Sequence, residues 1–192
     1  MKPDKTENDI FEVVMGAILT QNTSWKGVEK ALVALTKRAT SFQDLIDIDP
    51  EELKVLIRPA GFFNQKAAYL KSISELFIVE SQPNRPKLLA CKGIGPETAD
   101  AILLYALNQP FPVIDTYTRR LLSRVHNQPE YIRRNYQKIQ TELLDQLSPD
   151  PRIVRQFHAL TIVHSQAVCH KKEPLCEKCA ILARCAYENK GI

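Results

Sequence analysis

Four of the five cysteines lie close together near the C-terminus, as Cys169, Cys176, Cys179 and Cys185, with the spacing C-x6-C-x2-C-x5-C. In a reducing compartment such a cluster of thiols indicates a metal site rather than disulfides. Four thiolates can bind a tetrahedral zinc ion or a [4Fe–4S] cluster. Structural zinc sites often pair two CxxC segments, whereas this chain has only 176-CEKC-179.

The stretch 91-CKGIGPETAD-100 offers a second kind of chemistry. Gly93, Ile94 and Gly95 separate two short predicted helices, and Pro96 suits the first position of the second helix. Glycines allow positive φ and the close approach of another backbone, so free N–H groups there can face an anion such as a DNA phosphate. We expect Ile94 to anchor the turn in the core. The alternative is an ordinary corner in which glycine only caps a helix.

Two carboxylates stand where helices begin. Asp115, in 112-PVIDTYTRRLLSRV-125, follows a short apolar run and has the position of an N-cap. Glu97 lies in the first turn after the glycines, where the helix dipole favours an acid. Taken alone, each position predicts only a helix start.

The apolar pattern predicts an all-α fold. Apolar residues recur at spacings of three and four almost throughout, and no segment alternates with period two. Ser41, Asp49 and Asp150 are predicted to cap helices, and a long helix should run from about residue 64 to 81. The segments 86–92 and 96–107 are predicted to be the helices on either side of the glycine turn.

Composition limits the function classes. The formal charge of +4 and the pI near 8.8 suggest a polyanionic partner without requiring one. The N-terminus lacks the apolar region of a signal peptide, and no apolar run approaches the roughly 20 residues of a membrane helix. We therefore expect a cytoplasmic protein, associated with the nucleoid if bacterial, that has no membrane partner.

Three of these features resemble one family. The stretch LLACKGIGPETADAIL resembles the helix-hairpin-helix motif, although Cys91-Lys92 replaces the usual Leu-Pro, and V-I-D-T at Asp115 resembles the catalytic aspartate of the helix-hairpin-helix DNA glycosylases, the endonuclease III superfamily. The complete cysteine spacing resembles the iron–sulfur loop of endonuclease III and is the most specific motif. The resemblance runs from about residue 11 to 185, with less chain before the first core helix than is usual in the family.

The resemblance implies a two-lobed helix-hairpin-helix glycosylase fold with a C-terminal [4Fe–4S] loop. The central lobe would span 20–125, with the hairpin at about 86–108. Residues 1–19 and 126–192 would form the second lobe, with the cluster loop at 169–185. The partner would be double-stranded DNA containing a damaged base, held between the lobes of a monomer.

The resemblance also implies the chemistry. The Asp115 carboxylate would stabilise the cationic sugar that forms as a damaged base departs, or position water, and these roles are compatible with N-capping. Such enzymes flip the nucleotide out of the duplex. Gln21 or Asn22, in a segment resembling the first core helix and its polar loop, would fill the gap in the stack. The alternative is a loop that only caps the next helix.

Glu97 is the residue that most affects the predicted reaction. The bifunctional members carry at this position a lysine that forms a Schiff base and cuts the strand, which a carboxylate cannot do. We therefore expect base release without strand cleavage. Glu97, with TQNTSW, GFFNQKA and ETADAILLYA, is similar to the 3-methyladenine DNA glycosylase branch. Trp25, Phe62 and Phe63 would then form a slot for a cationic alkylated purine, with Glu97 at the base edge, although each aromatic could instead belong to the core.

The cysteine loop also carries basic residues. Lys171 and Lys172 are predicted to contact DNA phosphates, with a solvated basic face as the alternative. A fully ligated cluster has no open coordination site, so its expected role is structural.

Two other functions remain open at this stage. One is an endonuclease III-type glycosylase and lyase acting on oxidised pyrimidines, against which Glu97 argues. The other is a DNA-binding module without catalysis, against which Asp115 argues. The damaged base that is recognised depends on side chains far apart in the sequence.

Overall fold

Helices account for the regular structure of residues 5–188, which are the residues that the computed structural model describes, and no strand occurs among them. The α-helices are α1 (Glu7–Leu19), α2 (Trp25–Thr36), α3 (Phe42–Asp47), α4 (Pro50–Ile57), α5 (Phe63–Val79), α6 (Arg85–Ala90), α7 (Pro96–Ala101), α8 (Thr116–Val125), α9 (Tyr136–Gln146) and α10 (Pro151–Ala167). Short 3-10 turns cover Arg58–Ala60, Pro129–Ile132, Cys176–Lys178 and Leu182–Arg184. The all-α prediction is confirmed. No helix of the described residues is long and apolar enough to cross a membrane.

The predicted caps form as hydrogen bonds. Ser41 and Asp44 bond reciprocally at the start of α3, and Asp49 accepts from the first amides of α4. Asp150 caps α10 in the same way, with Pro151 at the first helical position. Short polar side chains therefore satisfy helix N-termini that would otherwise leave amides without partners.

The helix predicted for 96–107 departs from regular geometry after its first turns. It is α-helical to Ala101, and Ile102–Ala106 form a π turn in which the Leu107 amide donates to the Ile102 carbonyl at 3.1 Å. Ile102, Leu103 and Leu104 are all fully buried there. The wider turn was not predicted, because Ile, Leu and Ala are typical of an ordinary buried helix.

Two compact units divide the chain, Met1–Gln109 and Pro110–Ile192. This division differs from the predicted lobes, whose boundaries lay near residues 20 and 125. Helix α1 packs on α2, α5 and the π turn, all in the first unit, because its buried face includes Phe11, Met15 and Ile18. The glycosylase lobe assignment itself stays a prediction.

The first unit is built around aromatic contacts and buried lysines. Phe42 packs edge-on against Phe11 with ring centroids 5.4 Å apart and stacks on Phe77 at 4.6 Å, which joins α1, α3 and α5. From α5, Lys66 and Lys71 donate to backbone carbonyls at the ends of other elements. Helix α5 therefore packs against α1, α3, α4 and α6.

The second unit has a smaller core between α8, α9 and the turn Pro129–Ile132. Ile114, Tyr131, Ile139 and Leu143 are buried together. The Tyr136 hydroxyl lies at the edge of this cluster and accepts a hydrogen bond from the Ile114 amide at 3.3 Å. This core fixes the segment immediately before Asp115.

Candidate active site and cysteine loop

The glycine turn between α6 and α7 is held by an ion pair behind it. Asp100 is fully buried and receives Arg85 Nε at 2.6 Å and Nη2 at 3.1 Å, a two-point contact that joins the two helices. Ile94 is buried at the tip, as predicted. The turn is therefore rigidly supported on its protein side.

The fold constrains the two glycines of the turn differently. Gly93 has φ +77°, and a β carbon there would lie 2.4 Å from the ring of Tyr69, so the fold itself requires glycine. Gly95 has φ −88°, and a β carbon there would meet nothing within 4 Å. The fold therefore leaves open space beside Gly95.

The loop after α1 is attached to this turn. Gln21 Nε2 donates to the Gly93 carbonyl at 3.1 Å and lies 3.0 Å from Thr98 Oγ1. Asn22 is exposed and adopts φ +50°, in the left-handed region. The alternative that this loop only caps α2 finds no support, because the N-cap Ser24 makes no side-chain capping bond among the described residues.

Two of the three candidate pocket aromatics are on the surface. Trp25 is 62% exposed and Phe62 61% exposed, so assigning them to the core would be wrong. Phe63 is half-buried, with the Arg58 guanidinium 5.8 Å from its ring centroid. Trp25 and Phe62 are thus available for contact with a ligand, the role predicted for them.

Close packing brings the segments that carry these aromatics together. A β carbon at Gly27 would lie 2.5 Å from the Pro59 carbonyl oxygen, and one at Gly61 would lie 3.9 Å from the Thr23 hydroxyl. The start of α2 and the turn before α5 are therefore neighbours. Glu97 is exposed in the first turn of α7, directly after the glycine turn.

Asp115, in the second unit, is the N-cap of α8 and is mostly buried. Its Oδ1 accepts from the Thr118 amide at 2.7 Å, which confirms the predicted cap, and its Oδ2 lies 3.5 Å from His158 Nε2 of α10. Burial is the largest single influence and acts to raise the pKa of the carboxyl group, but the hydrogen bonds and charge of His158 and the bonds from Thr118 together outweigh it. The pKa of Asp115 is therefore lowered, and the group is ionised at neutral pH.

Three arginines of α8 organise the segments around it. Arg119 donates to the carbonyls of Tyr131 and Arg134, and Arg120 donates to those of Ser165 and Cys169. Arg124 is 9% exposed and reaches the cysteine loop. These three arginines are thus engaged with backbone carbonyls of the same unit.

The four cysteines line one cavity, together with Arg124 and His164. Arg124 Nη1 lies 3.1 Å from Cys169 Sγ and 2.7 Å from the His170 carbonyl oxygen. Burial, followed by the charges of the other three thiols, raises the pKa of Cys176, while Arg124 lowers it. None of the four forms a disulfide in the part of the chain that the structure describes. The site thus combines a set of sulfur donors with a fixed positive charge.

No three Cys, His, Asp or Glu side chains within residues 5–188 are close enough to hold a single metal ion. Four thiols around one cavity are nevertheless a donor set that suits sulfur-ligated centres. In a cubane cluster each of four cysteines binds a different iron. The residue types of the cavity therefore fit a [4Fe–4S] cluster.

The predicted phosphate contacts of the loop are accessible. Lys171 and Lys172 are exposed, and the Lys171 carbonyl accepts from Arg124 at 3.0 Å. The backbone of the loop is thus anchored to α8 while its lysine side chains face solvent.

Comparison with known families identifies the chain. Residues 15–149 match the model of the HhH-GPD superfamily base excision DNA repair protein, a span that includes the hairpin and Asp115. The chain belongs to this superfamily of DNA glycosylases. The expected helix-hairpin-helix glycosylase fold and a role in base excision repair are thereby confirmed.

Two curated relatives cover nearly the whole chain. A Methanocaldococcus jannaschii protein provisionally named a DNA repair glycosylase is 41% identical over 91% of this chain and 84% of its own length. Endonuclease III of Sulfolobus acidocaldarius is 32% identical over 95% of this chain and 84% of its own.

Solved structures show the same fold. A thermostable thymine-DNA glycosylase matches with a TM-score of 0.82 and 23% identity, covering 94% of this chain and 84% of its own. The 3-methyladenine DNA glycosylase of H. pylori is a more distant neighbour, with a TM-score of 0.65 and 27% identity over 81% of this chain and 84% of its own. The structural likeness therefore does not favour the 3-methyladenine branch that the local motifs suggested.

Sequence reasoning missed several residues that support the site. His158 lies on an apolar helix face where a histidine is ordinarily a core residue, and only the fold brings it to Asp115. Lys66 gave no signal because lysines are usually exposed. The arginines of α8 gave no local signal, since α8 ends at Val125 and the first cysteine of the loop is Cys169.

We predict that His158→Phe raises the pKa of the Asp115 carboxyl group. The variant removes the hydrogen bond and charge that favour the ionised form and leaves burial, which disfavours it. Carboxyl-carbon NMR titration should place the wild-type Asp115 below the ordinary aspartate value of about 3.9 and the variant above the wild type.

The lowered pKa of Asp115 also makes the free energy of unfolding depend on pH. A lowered folded pKa contributes stability above the unfolded pKa, and this contribution is lost as the pH falls through the folded pKa. In His158→Phe the free energy of unfolding should therefore fall less between neutral and acid pH than it does in the parent protein. An unchanged Asp115 titration in a folded variant would contradict the assigned role of His158.

Proposed function

We propose that this protein is a monofunctional DNA glycosylase that removes alkylated purines such as 3-methyladenine from double-stranded DNA. The observation that carries the proposal is an ionised, mostly buried Asp115 at the start of α8. The chain belongs to a superfamily of base excision repair proteins, and it has Glu97 directly after the hairpin. We expect it to act in the cytoplasm as a monomer, on DNA alone.

Asp115 is the proposed catalytic residue. As the bond between C1′ and the base lengthens, positive charge develops on the sugar, and a fixed carboxylate stabilises that charge without reorganising. The hydrogen bond from the Thr118 amide and the His158 ring, 3.5 Å from Oδ2, hold one orientation of the carboxyl group. The cationic base departs as a neutral molecule with the electrons of its bond to C1′. Water adds to C1′ and loses a proton to solvent, so an abasic site remains.

Glu97 supports hydrolysis without strand cleavage. A Schiff base needs an amine, and a carboxylate supplies none. Lys66 is 2% exposed and its ammonium group donates to two carbonyls, so it is withdrawn from such chemistry. In this proposal Glu97 instead faces the edge of the base.

A cationic base suits the exposed aromatics. Methylation gives a purine a positive charge, which makes it a good leaving group and attracts it to aromatic faces and to a carboxylate. Trp25, Phe62 and Phe63 come from neighbouring segments, which supports a shared role in holding the base or the adjacent duplex. Asn22 is better placed than Gln21 to fill the gap left by the flipped nucleotide, since the Gln21 amide is engaged with the hairpin.

The hairpin and the cysteine loop are the proposed contacts to the DNA backbone. Open space beside Gly95 would admit a phosphate to the amides of Gly93 and Gly95, while the Ile94 amide bonds the Cys91 carbonyl and its side chain anchors the turn. Lys171 and Lys172 would add charge contacts that weaken with salt. These contacts position the duplex without reading its sequence.

The four cysteines are the proposed ligands of a [4Fe–4S] cluster. Cys169, Cys176, Cys179 and Cys185 would each bind one iron, and the Arg124 guanidinium would offset negative charge on the sulfur of Cys169. The cluster would cross-link the loop that carries Lys171 and Lys172 and would take no part in the hydrolysis.

An endonuclease III-type activity on oxidised pyrimidines is the second candidate. The 32% identity to the Sulfolobus endonuclease III favours it. It requires an amine nucleophile, so the two candidates differ in whether the strand is cut.

The two glycines of the hairpin should separate folding from DNA binding. Gly95→Ala should leave the free energy of unfolding within about 0.5 kcal/mol of the parent, because its β carbon points into open space. It should weaken binding to duplex DNA about tenfold, the loss of roughly one hydrogen bond. Urea denaturation and fluorescence anisotropy with labelled duplex measure the two effects.

Gly93→Ala is the comparison variant. Positive φ and the Tyr69 ring should make it lose more than about 1 kcal/mol of stability. Unchanged DNA affinity in a folded Gly95→Ala variant would remove the hairpin from the proposed interface.

The cluster has its own test. Anaerobically purified protein should contain about four iron atoms and four sulfides per chain, with broad visible absorption, and Cys176→Ser should lose most of both. Cys91→Ser is the matched control and should keep them, because Cys91 lies in the first unit, apart from the loop. About one zinc ion per chain and no sulfide would contradict the cluster.

The catalytic proposal is tested with methylated duplex DNA and with DNA containing thymine glycol. The parent should release 3-methyladenine without strand breaks before alkali, and borohydride should trap no covalent complex. Asp115→Asn should reduce release at least about 100-fold while keeping α8 capped, since asparagine caps as well as aspartate.

Asp49→Asn is the control for this change, because Asp49 is an N-cap in the other unit. It should keep the parental rate of base release. Breaks at thymine glycol and a borohydride-trapped complex would instead establish the second candidate.

A further inference from the structure

The ammonium group of Lys66 joins two points of the backbone in the first unit. Its Nζ donates to the Leu19 carbonyl at 2.7 Å and to the Ala60 carbonyl at 2.8 Å. Leu19 is the last residue of α1, and Ala60 is the last residue of the 3-10 turn before α5. One buried side chain thus bonds to the ends of two elements that lie 41 residues apart in the sequence.

Each of these carbonyls stands immediately before a segment with exposed candidate residues. Loop 20–24 follows Leu19 and leads to Trp25, and Gly61-Phe62 follows Ala60. Asn22 has φ +50° and Phe62 has φ +47°, a left-handed conformation that costs free energy in residues other than glycine. Such a conformation persists only where the surrounding structure fixes it, and the bonds of Lys66 are fixed points next to both segments.

Burying the ammonium group of Lys66 costs free energy. Burial lowers the pKa of Lys66, which measures the penalty on the ammonium form. The carbonyls at helix ends carry the negative end of the helix dipole and offset part of this penalty. Removing the ammonium would leave both buried carbonyls short of a donor.

We propose that Lys66 is a positioning residue that sets loop 20–24 and the Gly61–Phe63 turn in the geometry required to hold a flipped base. It acts through these segments and does not touch the substrate. Gln21 completes the arrangement by bonding loop 20–24 to the glycine hairpin. The inference rests on the proposed glycosylase function for its catalytic consequence but not for its structural one.

Lys71 offers a matched control on the same helix. Its Nζ donates to the carbonyls of Leu45, Ile46 and Ile48 at 2.6–2.8 Å, so it also closes the end of a helix, α3. Those carbonyls lead to α4 rather than to the candidate segments. Replacing either lysine by methionine keeps the length of the side chain and removes the donor.

The experiment compares Lys66→Met and Lys71→Met by single-turnover release of 3-methyladenine and by acrylamide quenching of Trp25, the only tryptophan of the chain. Both variants should lose stability. Lys66→Met should slow release about 100-fold, the effect of a misplacement near 1 Å, and should change the quenching of Trp25. Lys71→Met should stay within about threefold of the parent rate and should leave the quenching unchanged.

Several results would overturn the proposal. Parental release and parental quenching in a folded Lys66→Met variant would do so, and so would equal losses in both variants. If Lys66→Met does not fold, hydrogen exchange of the wild-type protein without DNA decides. Strong protection of the hydrogen-bonded amides of Thr20, Gln21, Thr23 and Gly61 is expected, and exchange of these amides at the rate of an unstructured peptide would refute a fixed geometry.

Failure of the proposed function would look different. A wild-type protein that releases no base from methylated DNA would refute the glycosylase assignment on that substrate. The quenching and exchange results would still test whether Lys66 fixes the two segments.

Discussion

Backbone carbonyls at the ends of short helices are the constraint that this structure has to satisfy. Ten helices and several 3-10 turns within residues 5–188 leave many carbonyls without an internal partner. Long cationic side chains supply the missing donors. Lys66 and Lys71 do so in the first unit, and Arg120 does so in the second by bonding the Ser165 carbonyl in the last turn of α10. Arg119 and Arg124 bond carbonyls of turns and loops in the same way. Because one cation bonds several carbonyls, it fixes the relative position of the segments that carry them.

This role changes how the positive charge of the chain should be interpreted. The small excess of basic residues suggested a polyanionic partner, and part of that charge lies inside the protein instead. The accessible charges include Lys171 and Lys172. They lie on a loop whose backbone is held by arginines of α8. Some basic residues thus hold the backbone in place from inside the protein, and others present their charge to solvent.

Sequence patterns predicted what local chemistry determines. Helix starts at Ser41, Asp49 and Asp150 follow from side chains that bond amides two or three residues away. Asp115 was predicted correctly as a cap for the same reason. The all-α fold followed from a periodicity that needs no tertiary information.

Features that depend on distant partners were not predicted. The π turn at Ile102–Ala106 and the exposure of Trp25 depend on what packs around them, which a local pattern does not contain. The same holds for His158, which reaches Asp115 across 43 positions of sequence. Gly93 and Gly95 looked equivalent in the sequence, and only the position of Tyr69 distinguishes them.

Helix α8 begins one residue after Asp115 and ends one residue after Arg124. Its ten residues form a rod of about 15 Å, at about 1.5 Å per residue, with the candidate catalytic carboxylate at one end and the cysteine loop at the other. Arg124, in its last turn, bonds Cys169 Sγ and the carbonyls of His170 and Lys171. The placement of the cysteine loop and that of the proposed catalytic carboxylate are thus both referred to a single short helix.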